Sequence, residues 1–335
     1  MVGLMIILIL VLILPFTLKI VERHLEIFLF VMGIFAAKLS GVLHVGLIKK
    51  ALQDPLTISL AVIVAGLMFR CFQKPTETIV RRASERIPLP FFLAFIVIFL
   101  GLISSVITAI IAAIILVTIV SILPLDRTSQ IRFVIIACYS IGLGAVLTPL
   151  GEPLSTIATS KLNADFFYLF RLIGHDILVA VLCLGLLTIL CVHPEREEYE
   201  VSNRKLKIES VYELFLRGIK VYVFVMALTF LGAGFEPFIE VYLLDLSANV
   251  LYWINIVSAV LDNATLAAAE VSPAMDPMTI RSILLGLLIS GGMLIPGNIP
   301  NIIAASKLKM TSLEWARFGV PLGMVTMCIY YFIVF

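Results

Sequence analysis

The sequence predicts an all-α polytopic membrane protein. Of its 335 residues, 61% are hydrophobic and only 14% are Asp, Glu, Lys or Arg, and the mean hydropathy is +1.13. A soluble domain is typically about 45–50% apolar and about 25% charged, so a water-soluble globule is excluded. The apolar residues form repeated runs of about 20, the length at which a helix crosses a bilayer. We predict about eight full spans and two re-entrant hairpins.

The chain is predicted to begin with N-terminal scaffold spans in 1–54. Two larger units follow, the first in 55–192 and the second in 218–335, and a polar cytoplasmic linker in 193–217 joins them. Each of the two later units is expected to contain a span, a hairpin, a discontinuous helix and a final span. The hairpins are expected at 88–122 and 238–272, and the discontinuous helices at 130–160 and 279–306.

The lysines and arginines predict the orientation of the spans. With the N-terminus outside, 18 of the 24 basic residues fall in cytoplasmic connections and five in outer ones, and Lys38 lies within a span. Cytoplasmic loops of membrane proteins carry such an excess of Lys and Arg. This threading requires both hairpins to return to the side from which they enter. It places both termini on the outer side of the cell membrane.

The two later units resemble each other in sequence. At an offset of 146 residues, the matching residues are Gly151 with Gly297, Ser160-Lys161-Leu162 with Ser306-Lys307-Leu308, and Arg171 with Arg317. Several polar matches at one spacing disfavour chance similarity between apolar segments. The charge bias places Lys161 outside and Lys307 inside, so the second copy is expected to be inverted. Inverted repeats with broken helices are typical of secondary transporters, whose substrate site lies near the midplane.

Each unit contains a helix interrupted by proline and glycine, at 147–156 and at 294–301. These residues do not fit the interior of a regular helix. The first helix should therefore stop near Thr148, and a half-helix should restart at Pro153. Unpaired backbone groups at membrane depth are tolerated only inside protein or around a cavity. The two breaks predict a transport site, and a pair of structural kinks is the alternative.

The hairpin tips carry oxygen ligands. The first tip contains Ser104, Ser105 and Thr108, and the second contains Asp262 and Asn263. Hydroxyl, amide and carboxylate oxygens suit a hard cation such as sodium. The tips therefore supply the second half of the predicted site.

Three acids are predicted to lie inside the membrane, where a carboxylate costs about 2.5–3.5 kcal/mol on insertion scales. Glu152 lies in the first break, Asp262 at the second tip, and Asp176 well inside a span. Each is a candidate for coupling ions or protons. The alternative role for Glu152 is that of a helix N-cap with no part in transport. His175 and Asp176 form either a proton relay or a structural ion pair. Lys38 either pairs with one of these acids or extends to the surface.

The motifs of the second unit resemble those of a known superfamily. The run Ser258-Ala259-Val260-Leu261-Asp262-Asn263-Ala264 resembles the hairpin signature of NhaD-type sodium/proton antiporters and arsenite permeases. The run Pro296-Gly297-Asn298-Ile299-Pro300-Asn301 looks like the broken helices of the wider ion-transporter superfamily, which includes divalent-anion:sodium symporters. The resemblance covers about residues 88–335 and is closest to a small branch described as cation transporters.

The resemblance implies an inverted-repeat fold with a scaffold and a transport domain, and often a homodimer. It implies that ions are held at the tips and breaks, which in this sequence are Thr148, Glu152, Ser155, Asp262, Asn263, Asn298 and Asn301. The first hairpin departs from the pattern because it has serines and Thr108 in place of an Asp-Asn or Asn-Thr pair. Ser155 stands where an anion transporter carries Asn. The resemblance therefore does not imply two complete, symmetric sodium sites.

Three functions are open. The leading hypothesis is a secondary transporter that exchanges sodium for protons, with sodium at Asp262, Asn263 and Glu152. The alternative is sodium- or proton-coupled transport of a dicarboxylate or oxyanion, because half-helix N-termini favour anions. An intramembrane enzyme is a remote third alternative, since there is no HExxH or GxSxG motif, although the spacing permits a catalytic dyad of Asp176 and Asp262.

The expected partners are the lipid bilayer and small ions. No cofactor is predicted, and a net charge of +2 argues against nucleic acid.

Overall fold

A computed structural model describes residues 2–56, 58–60, 62–64, 67, 88–123, 125–192, 211–242 and 246–335. The described residues are almost entirely helical and include no β-strand, which confirms the predicted all-α class. Most of the predicted linker, at 193–210, and most of the span expected to follow residue 55 lie outside the described residues.

The N-terminal part of the chain forms four helices: α1 (Val2–Thr17), α2 (Lys19–Arg23), α3 (Leu25–Leu39) and α4 at 45–56. Helix α3 packs along a much longer helix, α10 (Val211–Tyr242). Glu26 near the start of α3 forms an ion pair of 3.2 Å with Lys220. Near the end of α3, a Cβ added to Gly234 would lie 2.7 Å from the backbone of Ala36. The two helices therefore run parallel and in close contact.

The next segment contains five helices: α5 (Leu89–Ile107), α6 (Ala109–Ile122), α7 (Arg127–Ala145), α8 (Pro153–Lys161) and α9 (Tyr168–Cys191). Helix α7 is buried along most of its length and packs against α5 and α9. Glycine permits the closest approach, because a Cβ on Gly144 would lie 1.7 Å from the carbonyl oxygen of Gly101. Small residues let helix backbones approach in this way in membranes.

The last segment follows α10 and contains α11 (Ala248–Ile254), a 3-10 turn (Asn255–Ala259), α12 (Asn263–Glu270), α13 (Pro277–Gly291), a 3-10 turn (Ile295–Gly297), α14 (Ile299–Leu308) and α15 (Ser312–Val334). Helix α13 is buried, as α7 is. Trp315 donates its Nε1–H to the carbonyl oxygen of Gly292 at 3.1 Å, which holds α15 against the end of α13.

Five of the described helices are long and apolar enough to cross a membrane: α5, α7, α9, the Leu214–Phe238 part of α10, and α15. Large apolar side chains point outward, for example Phe332 (81% exposed) and Leu190 (70% exposed). Exposed apolar surface on this scale fits contact with lipid. The chain is a multi-pass membrane protein. The prediction of about eight spans stays a prediction.

Both predicted breaks lie between helices in the structure. Helix α7 ends at Ala145 and α8 begins at Pro153, as expected from proline at a first helical position. Helix α13 ends at Gly291 and α14 begins at Ile299. Two predicted boundaries differ. Helix α10 includes residues 211–217 of the predicted linker, and it continues to Tyr242, past residue 238, where the second hairpin is expected to begin. The next helix, α11, begins at Ala248.

The turn between α14 and α15 is fixed by Arg127 at the start of α7. Its Nε and Nη2 donate to the two carboxylate oxygens of Glu314 at 2.9 and 2.8 Å. Its guanidinium also donates to the carbonyl oxygens of Leu308 and Lys309, each at 3.0 Å. These carbonyls end α14 and have no partner within the helix, so Arg127 positions the second half-helix against α7.

Candidate functional site

Four helices begin at polar residues that the sequence predicts to bind ions. The N-cap residues are Thr108 for α6, Glu152 for α8, Asp262 for α12 and Asn298 for α14. Helix α8 packs against α12, and α6 packs against α14. The first N–H groups of a helix have no partner within it and carry partial positive charge. The four polar N-cap residues therefore lie on two pairs of packed helices.

Glu152 is buried, with 6% of its surface exposed. Its carbonyl oxygen accepts hydrogen bonds from the Ser155 hydroxyl at 2.7 Å and from the Thr156 N–H at 3.3 Å. Its carboxylate makes no capping hydrogen bond, and Oε1 has no partner among the described residues. Buried polar atoms are nearly always satisfied. The Glu152 side chain therefore does not serve as an N-cap, and one of its oxygens is free for another ligand.

Asp262 does have a capping role. Its Oδ2 accepts hydrogen bonds from both the N–H and the hydroxyl of Thr265, each at 3.0 Å. The side chain is half-buried. The capping role that the sequence allowed for Glu152 thus belongs to Asp262.

Glu152 and Asp262 meet because α8 and α12 lie side by side. Their negative charges act on each other. Near the far ends of the same helices, Lys161 donates a hydrogen bond to the carbonyl oxygen of Ala268. The helices therefore run in the same direction, and both N-termini adjoin the two carboxylates. A proton or a small cation shared between the carboxylates would remove their repulsion.

The first hairpin tip contacts the first break. Thr108 joins α5 to α6 with a φ of 76°. The Ala109 N–H donates to the carbonyl oxygen of Gly151 at 2.9 Å, and the Thr148 hydroxyl donates to the carbonyl oxygen of Ser105. These hydrogen bonds join the first hairpin tip to the first break.

The serine hydroxyls of the first tip donate to nearby backbone carbonyls. Ser104 Oγ donates to Gly101 O at 2.6 Å, and Ser105 Oγ donates to Leu102 O at 2.8 Å. The Ser105 hydroxyl proton is therefore engaged within the hairpin, and the Ser104 hydroxyl proton is shared between Gly101 O and Ile141 O of α7, the latter at 3.0 Å. Any role of these serines in ion binding is limited to their oxygen lone pairs.

Two amides of the second tip and break converge on Gly291. Asn301 is fully buried, and its Nδ2 donates to the carbonyl oxygens of Gly291 and Leu294, both at 2.9 Å. Its Oδ1 has no partner in the described part of the chain. The Nδ2 of buried Asn263 also has none there, and it lies 3.7 Å from the position of a Cβ on Gly291. The two predicted ligands thus leave one acceptor and one donor unpaired in the same region.

Asn298 lies against the other unit. It is buried at the start of α14, and its side chain makes no capping hydrogen bond. Its Nδ2 is 2.6 Å from the position that a Cβ on Gly142 of α7 would occupy. Glycine at 142 therefore makes room for this amide.

Several contacts occur once in each unit. The run Ser104-Ser105-Val106 resembles Ser258-Ala259-Val260 at an offset of 154 (258 − 104), and the other matched positions correspond at the offset of 146. The matched contacts are Ser104 Oγ donating to Ile141 O (3.0 Å) and Ser258 Oγ donating to Leu287 O (3.1 Å). The glycines of the two breaks provide a further match. A Cβ added to Gly151 would lie 1.9 Å from the carbonyl oxygen of Ala145, and a Cβ added to Gly297 would lie 2.5 Å from the carbonyl oxygen of Gly291. Each hairpin is thus joined to the helix before the break in the same manner.

All of the chain, residues 1–335, matches the model of a family described as a protein of unknown function, DUF1646. The chain belongs to the DUF1646 family. A comparison with curated proteins finds no match. The likeness to NhaD-type antiporters and arsenite permeases stays a prediction for this member of the DUF1646 family.

The other predicted ion-coupling residues lie outside this cluster. Asp176 is buried, and both of its carboxylate oxygens accept hydrogen bonds from Arg281 at 2.8 Å. The neighbouring His175 is exposed on another side of α9. Lys38 is exposed and forms no ion pair with any residue that the structure describes. The geometry thus favours the structural ion pair for Asp176 and the extended conformation for Lys38.

Removing one partner of the Asp176–Arg281 pair is expected to destabilise the protein. Asp176→Asn leaves the guanidinium, which is 18% exposed, without its counter-ion, and breaking a buried pair costs about 3–5 kcal/mol. The double variant Asp176→Asn/Arg281→Met is expected to recover part of the loss. Thermal unfolding of both single variants and the double variant in detergent measures the coupling. A stable double variant that has lost transport would instead support the proton relay.

Two charged residues near the second hairpin are not predicted from the sequence to belong to the site. Glu270, at the end of α12, is fully buried, and neither carboxylate oxygen has a partner within the described chain. The signal for it was a lone acid directly after the apolar run Leu266–Ala269. Lys50, which the charge bias assigns to an outer connection, lies on α4, and its charge acts on Asp262. No local sequence pattern indicates the interaction between Lys50 and Asp262, because α4 and α12 are more than 200 residues apart.

Proposed function

We propose that this protein is a secondary transporter that exchanges sodium for protons. Glu152 carries the proposal: it is a buried carboxylate with an unpartnered oxygen, at the start of a half-helix and within electrostatic range of Asp262. A buried ionised carboxylate without a partner is strongly unfavourable. Glu152 is therefore expected to hold either a proton or a cation at all times. Exchange of one for the other is the elementary step of an antiporter.

Coupling follows from competition for the two carboxylates. When both carry their charge, their repulsion and the unpartnered Glu152 oxygen favour binding of a cation. When a proton is bound, the pair carries one negative charge fewer and attracts a cation less strongly. Amide oxygens such as Asn301 Oδ1 are ligands of the kind that sodium prefers. Sodium and a proton would thus exclude each other from one site.

An inverted repeat provides the alternating access that an antiporter requires. The matched contacts of Ser104 and Ser258, and of Gly151 and Gly297, support two copies of one helical plan. The bias of basic residues supports their opposite orientation. In such transporters the site lies where the repeats meet. We propose the same plan here, with eight spans in the cell membrane, both termini outside, and a homodimeric assembly.

One observation favours the alternative of anion transport. The charge of Lys50 acts on Asp262, so a cationic side chain is near the site even though neither break contains arginine. Two helix N-termini also favour an anion. Against this, the buried Glu152 carboxylate would repel an anion unless it were neutralised. The remote enzyme alternative has less support, since Asp176 is engaged by Arg281 rather than by Asp262.

Purified protein in liposomes that contain a pH-sensitive dye tests the proposal. Potassium with an ionophore holds the membrane potential at zero, so that pH changes do not arise from charge movement. A pulse of external sodium is expected to make the lumen alkaline as protons leave, and protein-free liposomes give no change. Lithium pulses measure selectivity, with the potassium concentration kept equal on both sides of the membrane. Absence of any cation response, with sodium-driven accumulation of labelled succinate, would instead establish the anion transporter.

A further inference from the structure

We propose that Glu270 and Asn255 form a second binding site for a monovalent cation, separate from Glu152 and Asp262. Both residues are almost completely buried, with 0% and 1% of their surfaces exposed. Three of their oxygens, the two of the Glu270 carboxylate and Asn255 Oδ1, have no hydrogen-bond partner among the described residues. The proposal concerns binding and does not depend on antiport.

The two side chains adjoin each other but do not satisfy each other. The Asn255 amide lies close enough to the Glu270 carboxyl to act on its charge, but both Glu270 oxygens and Asn255 Oδ1 lack a hydrogen-bond partner among the described residues. The Asn255 Nδ2 is directed elsewhere, because it donates to Ile283 O at 3.3 Å. Its backbone oxygen accepts from Ser290 Oγ at 2.6 Å, which fixes the residue in place. The amide orientation therefore leaves Oδ1 as a free acceptor.

The local charge also calls for a cation. Glu270 is the last residue of α12, where the helix carbonyls carry partial negative charge. No charged side chain acts on it in the described part of the chain. Lys161 approaches α12 nearby, but its Nζ donates to the carbonyl oxygen of Ala268 and it forms no ion pair with Glu270. An ionised carboxylate here is unfavourable for two reasons: it is buried without a counter-charge, and it lies at the negative end of the helix dipole.

The ligand chemistry identifies the class of cation. Carboxylate and amide oxygens suit hard cations rather than transition metals. One carboxylate neutralises one positive charge, so a monovalent ion leaves the buried site neutral, whereas a divalent ion would leave an excess charge. No group of three or more His, Cys, Asp or Glu side chains within metal-binding reach occurs among the described residues. Sodium is therefore the probe of choice.

The first unit lacks this pair. In the register set by the matched contacts of Ser104 and Ser258, Leu116 takes the place of Glu270 and Gly101 takes the place of Asn255. Leu116 is also fully buried. An apolar side chain thus fills the equivalent position, and packing alone does not require a carboxylate. The new site lies about 12 Å along α12 from Asp262, at about 1.5 Å for each of its eight residues.

Binding of radioactive sodium to the full-length protein in detergent tests the proposal. Glu270→Gln is expected to remove one bound sodium per protomer, because it removes the charge and keeps the shape. Asp262→Asn is expected to leave that sodium in place. If Asp262→Asn changes no binding while Glu270→Gln still removes an ion, the antiporter proposal fails and the second site stands. Calcium that competes better than sodium would overturn the assignment to a monovalent ion.

Thermal unfolding with sodium or with a large organic cation provides the second readout. Glu270→Leu, which copies Leu116, is expected to be at least as stable as wild type without sodium and to lose the part of the sodium-dependent stabilisation that the second site supplies. This variant keeps the test informative if Glu270→Gln folds poorly. Well-folded Glu270→Gln and Glu270→Leu proteins that bind and respond to sodium as wild type does would show that Glu270 is a neutral structural acid.

Discussion

Asp262→Asn is expected to weaken sodium affinity by about ten- to a hundred-fold and to abolish sodium-driven proton exchange at low sodium concentration. Hydrogen bonds and contacts to charged groups contribute about 1.5–3 kcal/mol, and this variant removes the charge from the second hairpin tip. The fold should survive, because asparagine caps a helix as well as aspartate does and its Oδ1 can still accept from Thr265. The measurement is the rate of lumen alkalinisation against sodium concentration.

Asp276→Asn is a matched control for this variant. Asp276 is the N-cap of α13 and accepts hydrogen bonds from the N–H groups of Met278 and Thr279, at 2.9 and 3.1 Å. It therefore caps a helix as Asp262 does, but it is exposed and not part of the candidate site. It is expected to transport at the wild-type rate. Equal losses in the two variants would mean that capping, and not ion binding, explains the effect at Asp262.

Glu152→Gln is expected to reduce the number of protons released on sodium binding by one per protomer. The proposed coupling requires a carboxylate that exchanges a proton for the cation, and an amide of the same size cannot do so. Stability should be unchanged or higher, since the carboxylate makes no capping hydrogen bond and has an unpartnered oxygen. A pH dye added to weakly buffered protein in detergent counts the released protons.

A Glu152→Gln protein that releases as many protons as wild type would remove Glu152 from the coupling mechanism. Asp165→Asn supplies the control, because Asp165 is an exposed acid that bonds to Arg171 just before α9. Proton release in this control should equal that of wild type. Sodium affinity of Glu152→Gln, measured in parallel, separates a loss of coupling from a loss of binding.

The sequence predicts the helical class and the position of the breaks because both depend on local covalent chemistry. An apolar run of sufficient length has few alternatives to a helix in lipid. Pro153 lacks an N–H and has a fixed φ, which suit the first position of a helix. Proline alone does not end a helix in this chain, since Pro237 and Pro321 lie inside α10 and α15. The first break combines Pro149 and Pro153 with Gly151. Hydropathy predicts the residue at which a helix ends less accurately. Helix α10 continues to Tyr242, past residue 238, where the hairpin is expected to begin.

The partners of the polar residues were decided only by tertiary structure. The sequence selects Glu152 and Asp262 separately, but they meet because α8 and α12 pack side by side in the same direction. It also selects Asp176, and the packing of α9 against α13 brings Arg281 to it. Glu270 and Lys50 show the same limit, since neither has a local signal for its surroundings. Local composition determines which segments are helical and where they break. Which side chains face each other depends on contacts between distant segments, so only the packed helices determine it.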